Sequence, residues 1–201
     1  MVELETDSVD LETERLKLRV LRADDEDDIV NFMAERGVTE FLLFFTYPIQ
    51  RQQVHAWLEN VLAAPLGHCI YWSIVDPKIN KTIGIISLTR DQYHRKGEIG
   101  YWLAKEYWGR GLMTEVVWRV IQYCFDTLRL HRLELTHMVA NKASQRVAEK
   151  VGFQLEGCWR EGHWKEGRFL DVKIYGMLDV DYVRTKKHFA AAKAAEVAQS
   201  S

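Results

Sequence analysis

The sequence predicts one α/β domain of α+β layering, in which a mixed, mostly antiparallel sheet of about seven strands carries helices on both faces. Three observations predict it. Short alternating or β-branched runs recur along the chain, stretches with helical spacing separate them, and the chain of 201 residues with 47% hydrophobic content is long enough to bury one ordinary core.

The elements follow in order. Met1 to Asp10 is acidic and poor in aromatics, so it is expected to be disordered, and the domain to run from 11 to 182. Leu16, Leu18 and Val20 alternate with Lys17 and Arg19, a strand with one buried face. Asp24 is placed to cap a helix carrying Ile29, Val30, Phe32 and Met33, and a second helix after Pro48 spaces Val54, Trp57, Leu58, Val61 and Leu62 along one stripe. Between them Phe41-Leu42-Leu43-Phe44-Phe45 is apolar enough to be read as core packing. Strands are expected at Cys69 to Val75 and Thr82 to Leu88, joined by the turn-rich Asp76 to Lys81, and then at Glu98 to Leu103. A long helix follows, with Val116, Val117, Val120, Ile121, Cys124, Phe125 and Leu128 on its inner face. Leu133 to Val139 reads as the next strand and Ala143 to Val151 as a short helix, while Phe153 to Gly157 and Asp171 to Leu178 complete the sheet. Residues 183–201 turn Ala- and Lys-rich, a helical or frayed tail.

Composition removes several function classes. A formal charge of −2 and a pI near 6.4 do not suit a general nucleic-acid binder. No apolar run is long enough to span a bilayer and the acidic N-terminus does not suit a signal peptide, so a cytoplasmic protein without membrane partners is expected. Cys69, Cys124 and Cys158 are far apart, with no C-x-x-C and no His at ligand spacing, so neither a disulfide framework nor a metal site is indicated. Oligomeric state stays open, a homodimer included.

The most informative stretch is Glu98 to Glu115, EIGYWLAKEYWGRGLMTE, where an apolar strand enters a Gly-rich turn that opens into the long helix. Trp108, Gly109, Arg110, Gly111, Leu112, Met113 and Thr114 would present backbone N–H groups at a helix start, where the dipole also favours negative charge. Gly109 and Gly111 permit close approach or positive φ, and Arg110 adds a charged donor. The spacing is not that of a P-loop, nor of a dinucleotide-binding G-x-G-x-x-G. A tight turn without a ligand is the alternative reading.

Thr136 to Phe153, THMVANKASQRVAEKVGF, adds a strand ending near Asn141, then a helix through Ser144 and Lys150, then Gly152-Phe153. Together with the Gly-rich turn this resembles the GNAT superfamily of acyl-CoA-dependent N-acetyltransferases. The family's turn places Gln or Arg, Gly, and Gly or Ala where this chain has Trp108, Gly111 and Met113, so both ends depart from the pattern. Those departures, and the N-terminal ETERLKLRVLRADD, are similar to the RimJ/RimL-like branch, and the resemblance spans roughly Leu11 to Leu178. It implies a splayed central strand pair that admits acetyl-CoA as acetyl donor. The turn from Trp108 to Thr114 would hold the pyrophosphate, and Tyr101, Trp102 and Leu103 would pair with the pantetheine, an amide near Leu103 polarising the thioester.

The resemblance also assigns roles in the chemistry. Asn141 would contact cofactor, or cap the helix, or both. Ser144 matches the Ser of an N-x-x-S pattern that hydrogen-bonds or protonates the departing sulfur; its plainer reading is a first-turn residue satisfying local backbone. The Tyr that serves as acid in many members is Ala148 here. Glu98 is the candidate base, with a pKa expected to rise by burial near Ile99 and Tyr101, or a water takes that role. Glu115 suits a helix first turn and is given no chemistry, and His68, His94 and His137 lack an evident orienting partner. The preferred acceptor is a protein N-terminal amine, of the ribosomal-protein alanine or serine type. Small amines such as polyamines or antibiotics are the enzymatic alternative, and a non-catalytic acyl-CoA-binding or interaction module is the alternative of another class. Trp159, His163, Trp164, Lys165 and Arg168 either line the acceptor groove or dress a hairpin.

Overall fold

In the computed structural model, which describes residues 9–64, 68–187 and 189, eight strands form one sheet in the order β1-β2-β3-β4-β5-β6-β8-β7. The strands are β1 (Leu11–Glu12), β2 (Lys17–Val20), β3 (Cys69–Asp76), β4 (Lys81–Asp91), β5 (Lys96–Leu103), β6 (Arg132–Met138), β7 (Gln154–Lys165) and β8 (Arg168–Leu178). The helices are α1 (Glu26–Met33), α2 (Arg36–Thr39), α3 (Arg51–Ala63), α4 (Leu112–Gln122) and α5 (Lys142–Lys150), and residues 179–187 are also helical. β5 and β6 run parallel, and every other neighbouring pair is antiparallel.

Alternation along the strands divides the core into two layers. One face of the sheet packs Trp72, Ile74, Ile86, Leu88 and Ile99 against α4 and α5; the other packs Ile85 and Trp102 with residues of α1 and α3. At Ile83 the alternation breaks. Ile74 pairs with Gly84 and Val75 with Thr82, so Ile83 is the extra residue of a bulge and lies in the same layer as Ile86.

The eighth strand is β1, two residues too short to carry a pattern. β7 and β8 are longer than their expected segments, since Trp159 to Lys165 continues the strand and the turn at Glu166 and Gly167 joins the two with positive φ at both residues (46° and 83°). The expected cap at Asp24 is corrected. A 3-10 turn over Ala23–Asp25 precedes α1, and Asp25 accepts the Arg22 N–H at 2.9 Å. Asp25 points inward to a polar cluster with Arg19 at 2.6 and 2.8 Å, Ser73 Oγ at 2.7 Å and Thr82 Oγ1 at 2.5 Å. In the Phe41 to Phe45 segment Phe45 joins the core, whereas Phe44 is 82% exposed. The expected boundary after residue 182 falls inside the helical residues 179–187, where Tyr182 is buried and stacks on Phe125. The expected disorder at residues 1–8, and the tail at 188 and 190–201, lie outside the described residues.

Candidate active site

β4 and β5 pair from Gly84↔Leu103 to Asp91↔Lys96, but β5 and β6 pair only at Lys96↔Arg132, Gly97↔Leu133 and Glu98↔Glu134. Beyond Glu98 the two parallel strands separate. A cavity of about 410 Å³ opens there, walled by the end of β5, the Gly-rich turn with α4, the start of α5, and Phe41-Leu42 with α2.

The turn supplies the donors. Gly109 and Gly111 both take φ of +74°, a left-handed conformation that suits glycine. Among the described residues, the N–H groups of Gly109, Arg110, Gly111, Leu112, Met113 and Thr114 have no acceptor within the protein. All but Arg110 line the cavity. Trp108 also lines the cavity, but the expectation of a free N–H there is corrected: that N–H bonds Lys105 O at 3.0 Å, and the indole Nε1–H donates to Leu103 O at 2.7 Å, locking the turn against the end of β5. The Arg110 guanidinium lies over the Tyr107 ring, 5.4 Å from its centroid.

Across the gap Asn141 caps α5, its Oδ1 accepting the Ser144 N–H at 3.0 Å. Asn141 also lines the cavity, so the capping role and access to a ligand coexist. Ser144 is buried, and its Oγ lies 2.9 Å from the Tyr101 hydroxyl, a hydrogen bond that bridges the two arms of the gap. Burial pushes the Tyr101 phenol well up, which keeps it protonated and able to either donate to or accept from Ser144. Ala148 is fully buried on the same helix. Tyr101, Trp102 and Leu103 line the cavity with Ser144.

Lys142, Arg146 and Lys150 form a further wall, one face of α5 at i, i+4 and i+8. No carboxylate pairs with them among the described residues. This stripe is legible in the sequence by its spacing alone, although sequence reasoning passed over it. The Tyr101–Ser144 contact left no such signal, because it joins residues brought together only by the splay.

The expected burial of Glu98 is corrected: it is exposed, its carboxylate accepts the Thr136 Oγ1–H at 3.0 Å, and it does not line the cavity. By strand alternation Glu98 and Tyr101 face opposite sides of β5. His137 is buried beside Tyr175, its Nδ1–H donates to Met138 O at 2.9 Å, and burial pushes its pKa down; it too lies outside the cavity lining. His94 pairs at 2.9 Å with Asp91 on the surface. On the β7–β8 hairpin, Trp159 and Trp164 are exposed, whereas Lys165 is buried and donates to Leu42 O and Phe45 O at 2.7 Å each. That ammonium ties the hairpin tip to the apolar wall of the cavity. Among the described residues no His, Cys, Asp or Glu group is arranged to hold a metal ion, and no helix is long and apolar enough to cross a membrane.

Residues 15–154 match the family described as acetyltransferase (GNAT) domain. An uncharacterised N-acetyltransferase, p20, of Bacillus licheniformis is 29% identical over 86% of this chain and 97% of its own length. The ribosomal-protein-serine acetyltransferase of Escherichia coli is 30% identical over 59% of this chain and 66% of itself, and the spermidine N(1)-acetyltransferase of Vibrio cholerae is 31% identical over 55% and 64%. Among solved structures, a GCN5-related N-acetyltransferase from Brucella melitensis superimposes with a TM-score of 0.81 at 25% identity, covering 92% of this chain and 85% of that one.

Proposed function

The chain belongs to the GNAT acetyltransferase family, and from that premise we propose that it transfers the acetyl group of acetyl-CoA directly to the α-amine of a protein N-terminus. The observation that carries the choice of acceptor is the make-up of the cavity wall, which among the described residues holds Lys142, Arg146 and Lys150 but no carboxylate and no imidazole. A polyamine would arrive protonated, with no carboxylate among the described residues of that wall to meet its charge. An amine with a pKa of about 10.4 is neutral in roughly one molecule in 2,500 at pH 7, whereas an α-amine with a pKa of about 7.8 is neutral in about one in seven. A site without a dedicated base suits the weaker amine, whose proton passes to water.

The residues divide the remaining work. The N–H groups of Gly109, Gly111, Leu112, Met113 and Thr114, with Arg110 beside them and the α5 cations opposite, suit the phosphates of acetyl-CoA. The unpaired flank of β5 at Tyr101, Trp102 and Leu103 suits its pantetheine amides, and Asn141 lines the same cavity. Acetyl-CoA supplies the activated thioester. As the amine nitrogen bonds the carbonyl carbon and the C–S bond breaks, the Ser144 hydroxyl donates to the sulfur, and the Tyr101 hydroxyl holds Ser144 in place. The scheme needs no acyl-enzyme. The relative named as a ribosomal-protein-serine acetyltransferase supports a protein acceptor.

The test offers acetyl-CoA with peptides whose N-termini are free or blocked, and with spermidine, following thiol release and the mass of the acceptor. Acetylation of the free α-amine alone is expected. Preferred turnover of spermidine would overturn the acceptor assignment, and CoA binding without turnover of any amine would favour a non-catalytic module.

A further inference from the structure

The N–H row of the Gly-rich turn points usefully only if its peptide planes are held, and among the described residues no hydrogen bond within the turn holds the plane between Arg110 and Gly111. The contact comes from far away in sequence. Arg15, in the segment between β1 and β2, donates through Nη1 to the Arg110 carbonyl at 3.0 Å and through Nε to Glu115 Oε2 at 2.6 Å, while its own backbone N–H reaches Glu115 Oε1 at 2.9 Å. Glu115 N–H in turn bonds Gly111 O at 3.1 Å, so a closed ring joins Arg15, Arg110, Gly111 and the first turn of α4. Carbonyl and N–H of one trans peptide point to opposite sides. Drawing the Arg110 carbonyl out toward Arg15 therefore turns the Gly111 N–H the other way, to the cavity that Gly111 lines. Arg15 itself does not line that cavity.

We propose that Arg15 is a positioning residue for pyrophosphate, fixing the Arg110–Gly111 peptide so that the turn is an anion site before acetyl-CoA arrives. The inference rests on the acetyl-CoA reading above. Glu115 is the brace that orients the guanidinium; although burial pushes its carboxyl up, bonds from Thr13 and Arg15 outweigh this and keep it ionised. A lysine at position 15 has one point of charge and no planar fork, so it cannot serve Glu115 and the carbonyl together in this geometry.

Titration with CoA, and separately with pantetheine, which lacks the pyrophosphate, tests the assignment through the intrinsic tryptophan fluorescence, to which Trp102 and Trp108 in the cavity wall contribute. Arg15→Ala is expected to weaken CoA at least tenfold, Arg15→Lys to fall between it and wild type, and pantetheine affinity to stay within twofold for both. Circular dichroism confirms that each variant is folded. Unchanged CoA affinity in a folded variant, or equal weakening of CoA and pantetheine, would overturn the proposal. Failure of the wild-type protein to bind CoA at all would instead sink the functional reading on which it rests.

Discussion

The two flanks of β5 differ. Toward β4 the strand is paired along its whole length, from Lys96 to Leu103, and Gly84 sits so tightly against it that an added Cβ would lie 2.5 Å from Trp102 O. Toward β6 the pairing stops at Glu98, and the backbone that follows faces a cavity. The closed flank leaves no room, and beyond it, in the β2–β4 part of the sheet, polar groups are satisfied as at Asp25, where Arg19, Ser73, Thr82 and the Arg22 N–H all converge on one carboxylate. The open flank leaves donors unmet, among the described residues, in the turn from Gly109 to Thr114. Stability is concentrated on one side and ligand-binding capacity on the other, because a donor already bonded within the protein has nothing left to offer a ligand.

Breaking the closed side should cost folding and spare chemistry. Asp25→Ala leaves a guanidinium and two hydroxyls without their acceptor, and a loss of about 3–5 kcal/mol is expected in urea unfolding, with turnover per folded molecule unchanged. Its pH dependence has a definite sign. Burial pushes the Asp25 carboxyl up, but the bonds from Arg19, Thr82, Ser73 and the Arg22 N–H outweigh it and hold the folded pKa below the ordinary value. The contribution is therefore full above about pH 4 and disappears as pH falls through the folded pKa, so wild type and variant should converge in acid unfolding.

On the open side the expectation inverts. Ser144→Ala should lower kcat by about a hundredfold with CoA affinity and Tm little changed, a loss of general-acid magnitude. A smaller loss, of about tenfold, is expected for Tyr101→Phe, and the double variant should be no slower than Ser144→Ala if the phenol acts only through the serine. Rate against a peptide α-amine should climb with pH and level off near the amine's own pKa of about 8, since among the described residues no carboxylate or imidazole lines the cavity. The smallest effect belongs to Glu98→Gln, expected to stay within about twofold; a drop of tenfold or more, with the alkaline plateau lost, would restore Glu98 as the base and undo the case for a solvent-borne proton.

Much of this was legible in the residues. Alternation gave the strands their faces, helical spacing gave α4 its buried stripe of Val116, Val117, Val120 and Ile121, and paired glycines marked the turn because a φ of +74° is a local requirement that local sequence can meet. The extent of β7 was missed, since Trp159 to Lys165 is exposed almost throughout and an edge strand with little buried surface carries weak alternation. The burial of Glu98 was misjudged for a related reason. Its apolar neighbours in sequence lie on the other side of the strand or further along it, and burial depends on what packs above a residue.

By itself, the sequence determined which segments become strands and helices, the place of the Gly-rich turn and the family. Tertiary structure alone decided where β5 and β6 part, that Tyr101 reaches Ser144 over the gap, that Lys165 ties the hairpin to the cavity wall, and that Arg15 holds a turn 95 residues away. Backbone preference and hydrophobic period act over a few residues, so one sequence displays them. Which side chains meet across a gap depends on chain crossings that no local pattern encodes.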